Sequence, residues 1–386
     1  MIRRAQLCTA VAIVQLALLG VADVEAIPRY SARYRQNCSL CHTNPTGGGM
    51  RSLYASQYLV PTELAIRPLG SEQLEKIQPL VSESIALGCD IRTIHHLADG
   101  DRPPPELNFF QMQGDLYVRF QVGDRLSAYM DRGQSSTLEI FGLAYVLPWN
   151  GYLKFGRFTP AFGWKFDDHK QFTREGRSGD AFRDLFFDPP ANSDVGIEVG
   201  CFPGRLAVVA AVINGALGQG GVPGAAGAPF DDNGELGNTL QVTYRLDVGP
   251  VGLALGGSWW RNAEPGGQRT AGGPFWYLNF SRLTWLGEVD WSDLDPGNAS
   301  RTALITSHEV TWQLVRGLDL RAIYNFADPD LDRKTGFRVK TGGGLDAVVT
   351  PFLNIAAMLN VYRDEPGLDV TERTYTQSEF ILHLFY

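Results

Sequence analysis

From about Ile85 to Tyr386 the chain alternates between polar and apolar positions. Gln111, Gln113, Asp115, Tyr117, Arg119 and Gln121 form one set, and Met112, Leu116, Val118 and Phe120 fall between them. Leu126 to Asp131 repeats the pattern, and Asp194, Gly196 and Glu198 alternate with Val195, Ile197 and Val199. A period of two marks strands with one wet and one apolar face. Soluble sandwiches alternate as well, so the connections carry the discrimination. They alternate short and long. Val122–Asp124, Pro148–Gly151, Pro203–Gly204, Gly249–Pro250, Arg282–Leu283, Arg316–Gly317 and Thr350–Pro351 are short. Longer connections, mostly rich in Gly, Pro and Asp, fall near Ala98–Leu107, Gly133–Ser135, Thr159–Ala191, Asn214–Glu235, Ala263–Gly272, Asp295–Asn298, Asp328–Thr335 and Asp364–Thr371. Short turns at one end and longer loops at the other predict an all-β fold. The expectation is an antiparallel outer-membrane β-barrel of about 16 strands with both chain ends on the periplasmic side.

Both termini agree with that expectation. Arg3 and Arg4, the apolar run Leu7–Ala22 and the small-residue site Val24-Glu25-Ala26 read as a signal peptide over residues 1–26, which implies export. No later run is long and apolar enough for a spanning helix. At the other end Phe380, Leu382, Leu384 and Tyr386 share one face, as in the last strand of bacterial outer-membrane barrels. Trp149, Tyr152, Trp259, Trp260, Trp276 and Tyr277 are candidates for aromatic girdles facing the lipid interface. A formal net charge of −8 argues against nucleic acid as a partner. Cys89 and Cys201 fall on apolar strand faces, where they read as small lipid-facing residues rather than a disulfide.

Residues 27–84 do not alternate. Short helical patterns cover Met50–Leu59, ended by Pro61, and Ser71–Pro79, with Ser71 as N-cap. So small a segment buries little core of its own. It carries Cys38-Ser39-Leu40-Cys41-His42, and C-x-x-C-H is the attachment signature of c-type haem. One helical turn presents both sulfurs to one haem edge, and the next residue swings its imidazole under the iron. A zinc site would need a second ligand pair with finger-like spacing, and none follows. A thioredoxin-like redox pair would need a βαβ unit, which the pattern lacks. Cys38 and Cys41 are therefore the predicted thioether positions for one covalent haem c, with His42 as proximal iron ligand. The distal ligand is left between His96, which shares a strand face with Asp90 and Arg92, and Met50, eight positions beyond His42. A chain of that length reaches roughly 26 Å. His96 is preferred. Met112, Met130, His95 and His308 fall on apolar faces; His383 points inward but sits at the periplasmic end, and His169 lies in the longest loop.

A secreted C-x-x-C-H segment, followed by Asn44-Pro45-Thr46-Gly47-Gly48-Gly49 and a porin-like barrel, resembles the fused monohaem cytochrome–porins of bacterial outer membranes. Their best-known members are proposed outer-membrane iron(II) oxidases. The resemblance covers nearly the whole mature chain. It implies a haem-bearing plug over 27–84 in or at the mouth of a barrel over 85–386, passing electrons between an extracellular donor such as iron(II) and a periplasmic carrier, another cytochrome being the expected partner. The carboxylates Asp167, Asp168, Glu175, Asp180, Asp184 and Asp188 in the longest loop could attract such a cation, although a solvated mixed-charge loop is the commoner role. A haem-plugged selective diffusion porin is the alternative function.

Overall fold

The computed structural model describes residues 28–100, 106–133, 139–164, 193–215, 235–264, 267–295, 301–333, 336–366 and 372–386. The predicted signal peptide and residues 165–192, with the carboxylates named above and His169, lie outside them.

Sixteen antiparallel strands close into one barrel. β1 (Ile85–Gly100), β2 (Glu106–Val122), β3 (Leu126–Gly133), β4 (Glu139–Leu147) and β5 (Gly151–Phe158) form the first part of the wall. β6 (Asp194–Cys201), β7 (Leu206–Ile213), β8 (Gly237–Val248), β9 (Val251–Glu264), β10 (Gly267–Phe280) and β11 (Leu283–Asp295) continue it. β12 (Arg301–Val315), β13 (Leu318–Asp328), β14 (Arg338–Thr350), β15 (Leu353–Asp364) and β16 (Arg373–Phe385) complete it. Each strand pairs with its sequence neighbour, and β16 returns to β1 with Asp90 opposite Phe385 and His96 opposite Glu379. Closure leaves no unpaired edge, which is what allows strands to cross a bilayer. Among the described residues no helix is long and apolar enough to do so.

The alternation places residues as expected. Leu116 is 67% exposed and Phe109 76%, both on the outer face, whereas Gln113, Asp115 and Tyr117 are buried on the inner one. The inner wall is polar. Lys154, Glu198, Glu288 and Asn325 are wholly buried there. Cys89 and Cys201 share the outward parity of Ile91 and Val199, and neither forms a disulfide. The girdle assignment holds for part of its set only. Trp149 and Trp259 are exposed, and Trp276 packs against Trp285 and His308 on the outer face, but Tyr152, Trp260 and Tyr277 are buried on the inner face. Consecutive residues of a strand point to opposite faces, so adjacent aromatics such as Trp259 and Trp260 cannot both meet lipid. The long loop expected over Ala263–Gly272 is instead the meeting of β9 and β10, which pair up to Gly267 opposite Glu264.

The residues before β1 fold inside the wall. α1 (Pro28–Tyr34) begins on a proline and ends at Arg35, whose φ of 56° turns the chain out of the helix. The Gln36 amide then donates to the Ser31 carbonyl at 3.2 Å, a Schellman closure. The helix expected to stop at Pro61 runs through it. Ala55–Leu64 is wound as a π-helix, and that wider turn accommodates a residue with no N–H. α2 (Ser71–Lys76) is capped by Gly70, one residue before the predicted Ser71.

Candidate functional site

The C-x-x-C-H residues form the single tight turn their spacing predicts. Cys38–Leu40 is a 3-10 turn; the Cys41 and His42 amides both donate to the Cys38 carbonyl, at 3.1 and 2.8 Å. His42 then bridges to Arg51, and the Thr43 amide donates to the Met50 carbonyl at 2.9 Å. Residues 43–50 are thereby closed into a loop. Asn44 opens its turn. Its side-chain oxygen accepts from the Thr46 hydroxyl at 2.9 Å, with Pro45 at the turn position where a fixed φ helps. Gly49 shows why glycine is required: its φ is +64°, and a Cβ there would lie 2.2 Å from the Tyr129 hydroxyl. That hydroxyl in turn accepts a hydrogen bond from the Met50 amide at 3.2 Å. Lys154, wholly buried, donates to Asn44 Oδ1 at 3.2 Å and to Thr46 at 3.3 Å, and pairs with Glu198 at 2.6 Å. The loop is moored to the wall it faces.

Ion pairs hold the rest of the segment. Arg29 bonds Asp346 at 2.8 Å and lies 3.9 Å from Glu309; Arg33 bonds Asp319 at 2.8 Å. Arg35 pairs with Asp247 at 3.0 Å beside the β8–β9 turn. Burial pushes the Tyr30 hydroxyl up to about 12, against the opposing pull of Arg29. The apolar face joins Tyr30, Cys41, Leu59, Val60 and Leu64 to Val348 and Phe385. Ile66 and Arg67 hydrogen-bond to Val348 and Val349, and Arg51 reaches the Pro351 carbonyl. These wall residues cluster at the short-turn end, the periplasmic end of an outer-membrane barrel. The segment is seated in that half of the lumen.

A second element enters from the other side. Residues 159–164, the start of the longest loop, run across the lumen rather than outward. Thr159 N–H donates to Glu139, Gly163 N–H to Ser258 Oγ at 2.7 Å, and Trp164 N–H to Glu288 at 2.8 Å. Trp164 packs edge-on to Phe275 with ring centroids 4.9 Å apart. Between this crossing and the C-x-x-C-H turn lies a cavity of about 140 Å³. Cys38, His42 and Gly47–Gly49 line it from the segment. Phe162, Trp164, Phe202 and Phe275 give it aromatic walls, with Arg51, Arg245 and Asp90 as charged lining. Cys41 is outside the lining, buried against Tyr30 and Phe385, and Phe385 borders both regions.

The two distal candidates are not brought here. Met50 is buried toward Gly88 among Ala86, Tyr117 and Tyr129. His96 does point inward, but it sits six residues beyond Asp90 along β1, roughly 20 Å at a normal strand rise. Neither lines the cavity. His383 does, with Nε2 at 2.9 Å from Asp90 Oδ2. The N-terminal segment docks at that same end of the barrel.

No family model and no curated protein matches the chain. Solved structures do. Pseudomonas putida OprB aligns with a TM-score of 0.60 at 8% identity over 82% of this chain and 96% of its own. An anion-selective porin from Comamonas acidovorans aligns at 0.55 and 11% identity, over 78% and 99%. Vibrio cholerae OmpT aligns at 0.54 and 10% identity, over 80% and 100%. At such identities the likeness establishes the fold alone: the closed antiparallel barrel of outer-membrane porins.

Proposed function

We propose that the protein is an outer-membrane electron-transfer protein in which one covalent haem c, seated in the periplasmic half of the lumen, passes electrons between an extracellular donor and a periplasmic carrier. The observation that carries this reading is the C-x-x-C-H turn facing an aromatic-walled cavity inside a barrel. Cys38 and His42 face the cavity, and Cys41 is buried beside it. Cys38 and Cys41 would hold it by thioethers, and His42 would ligate the iron. Arg51 and Arg245 supply cations suited to propionates, and Gly47 keeps a Cβ from standing 3.4 Å from the Cys38 sulfur. Seating a macrocycle against both sulfurs requires Phe385, which lies between Cys41 and the cavity, to turn aside. When bound, the haem supplies one-electron chemistry between ferrous and ferric iron. The chain's own residues fix its edge, exclude bulk water with Phe162, Trp164 and Phe275, and hold the carrier segment by buried ion pairs.

Iron(II) is the donor the family resemblance suggests. A separate periplasmic cytochrome is needed as acceptor, because one haem is small against a hydrocarbon core about 30 Å thick. The barrel's likeness to porins favours a second reading, a selective diffusion channel in which the haem segment is a plug. Two measurements on the purified holoprotein separate these readings. Covalent haem on Cys38 and Cys41 should survive denaturing electrophoresis and be mostly lost in Cys41→Ala. Planar bilayers should show a closed barrel. A steadily conducting pore supports the channel, and a wild-type band without covalent haem overturns both readings.

A further inference from the structure

We infer that docking of the N-terminal segment and setting of the 159–164 crossing are one coupled event, joined through Asn44, Lys154, Glu139 and Glu198. The inference uses no haem and stands with either function proposed above. The joint is built on two carboxylates, each shared between the two elements. Glu198 Oε1 pairs with Lys154 at 2.6 Å, and Glu198 Oε2 accepts from the Ala161 N–H at 3.3 Å. Glu139 Oε2 accepts from the Asn44 side-chain amide at 3.4 Å, and Glu139 Oε1 accepts from the Thr159 N–H at 2.8 Å. In both residues one oxygen serves the crossing and the other serves the Thr43–Met50 loop, directly or through Lys154. Asn44 spans the pair, because its carbonyl oxygen accepts from Lys154 at 3.2 Å while its amide donates to Glu139. A further contact lies at the far end of the crossing. Trp164 is buried in one cluster with Ala32 of α1, together with Phe275 and Tyr277. The segment thus meets the crossing's moorings at both ends.

Burial is what makes the sharing consequential. Lys154 and Glu198 are wholly buried, and Glu139 is 5% exposed. Asn44 and Thr46 are both hydrogen-bond acceptors for the Lys154 ammonium. Withdrawing the loop takes two acceptors from a buried cation, which is costly unless the cation finds others. Phe141 and Phe158, with ring centroids 5.4 and 4.6 Å from Lys154 Nζ, offer it a ring face but no lone pair. Glu139 loses its Asn44 partner in the same step. As Lys154 and Glu139 close on the space that Asn44 leaves, the Glu139 oxygen that holds Thr159 shifts with them. The Glu198 oxygen that holds Ala161 shifts as its own lysine turns. The segment therefore holds the crossing in place, and the crossing holds the segment. Linkage makes the effect mutual and of one size. Release of the segment loosens the lumen at two levels, its periplasmic seat and the crossing.

Hydrogen–deuterium exchange read by mass spectrometry tests the coupling on the full-length protein in detergent, with unboiled migration recorded for every variant. Asn44→Ala should speed exchange of the 43–50 amides and, by about tenfold, that of the 159–164 amides. Strand amides of β13–β15 should keep their wild-type rates. Ser258→Ala works from the other side, since it removes the hydroxyl that accepts from the Gly163 N–H at 2.7 Å. It should speed exchange at 159–164 and, through the joint, at 43–50. Faster exchange confined to 43–50 in Asn44→Ala, or confined to 159–164 in Ser258→Ala, overturns the coupling. Wild-type exchange throughout both variants overturns it as well. If Asn44→Ala does not assemble, Ser258→Ala decides alone. Wild type without covalent haem overturns the haem reading and leaves this coupling standing.

Discussion

Arg33→Met should loosen the N-terminal segment from the barrel. Arg33 and Asp319 are bonded at 2.8 Å with side chains only 6% and 3% exposed, so removing the guanidinium strands a buried carboxylate. Breaking a buried pair from one side costs about 3–5 kcal/mol. The segment can instead leave, letting water reach Asp319, so the undocked population grows by at most that cost. At the lower figure of about 3 kcal/mol, and 1.4 kcal/mol per tenfold, the increase is on the order of a hundredfold. Arg29 is a weaker choice, since its partner Asp346 is also bonded by Arg321 at 3.3 Å. Planar-bilayer recordings read the effect directly. Wild type should stay closed, Arg33→Met should open in brief bursts about a hundred times more often, and Arg33→Met with Asp319→Asn should return most of the way to wild type. Equal leak in the single and double variants would refute the argument, as would a silent single variant.

Other consequences follow from the same contacts. Val118→Arg puts a charge on the lipid face and should cost about 2–4 kcal/mol near the midplane, whereas Gln113→Arg faces the lumen beside Asp115; heat-modifiable migration after refolding should be lost in the first alone. Alkali should release the segment. With its hydroxyl raised by burial to about 12 from 10.0, Tyr30 contributes stability that is whole below pH 10 and lost as pH rises through 12, so Tyr30→Phe should keep bilayer recordings closed to higher pH. Gly49→Ala should push the Thr43–Met50 loop off Tyr129 and reduce haem incorporation several-fold by staining, because the added Cβ meets a buried phenol.

The barrel was legible because a lipid-facing wall imposes a strict period of two over strands such as β2 and β16. Turn chemistry at Pro148–Gly151 and Gly249–Pro250 marked one end. The tight turn at Cys38–Leu40 was legible from the C-x-x-C-H spacing alone. What the pattern could not carry was how the segment docks. No spacing rule links Arg29 and Arg33 to Asp346 and Asp319, about three hundred residues later in sequence. Depth was hidden in the same way: strand parity puts both His96 and His383 inside, and parity does not say which lies nearer the C-x-x-C-H turn. Trp260 and Tyr277 show the complementary limit. Their position near strand ends suggested the girdle, but parity turns them inward, where Trp260 meets Phe162. The rule that proline ends a helix assumes α winding, and Ala55–Leu64 carries Pro61 inside a π-helix.

Transfer of electrons through the barrel is the claim everything else serves, and oriented proteoliposomes test it. A soluble cytochrome is trapped inside vesicles whose barrels present the long-loop face outward, and a membrane-impermeant reductant, or iron(II), is added outside. The account predicts reduction of the trapped cytochrome that requires the protein, persists in Gln113→Arg, and fails in His42→Ala. Intact covalent haem with no reduction of the trapped cytochrome by any of several donors would contradict it and leave the plugged channel as the better description.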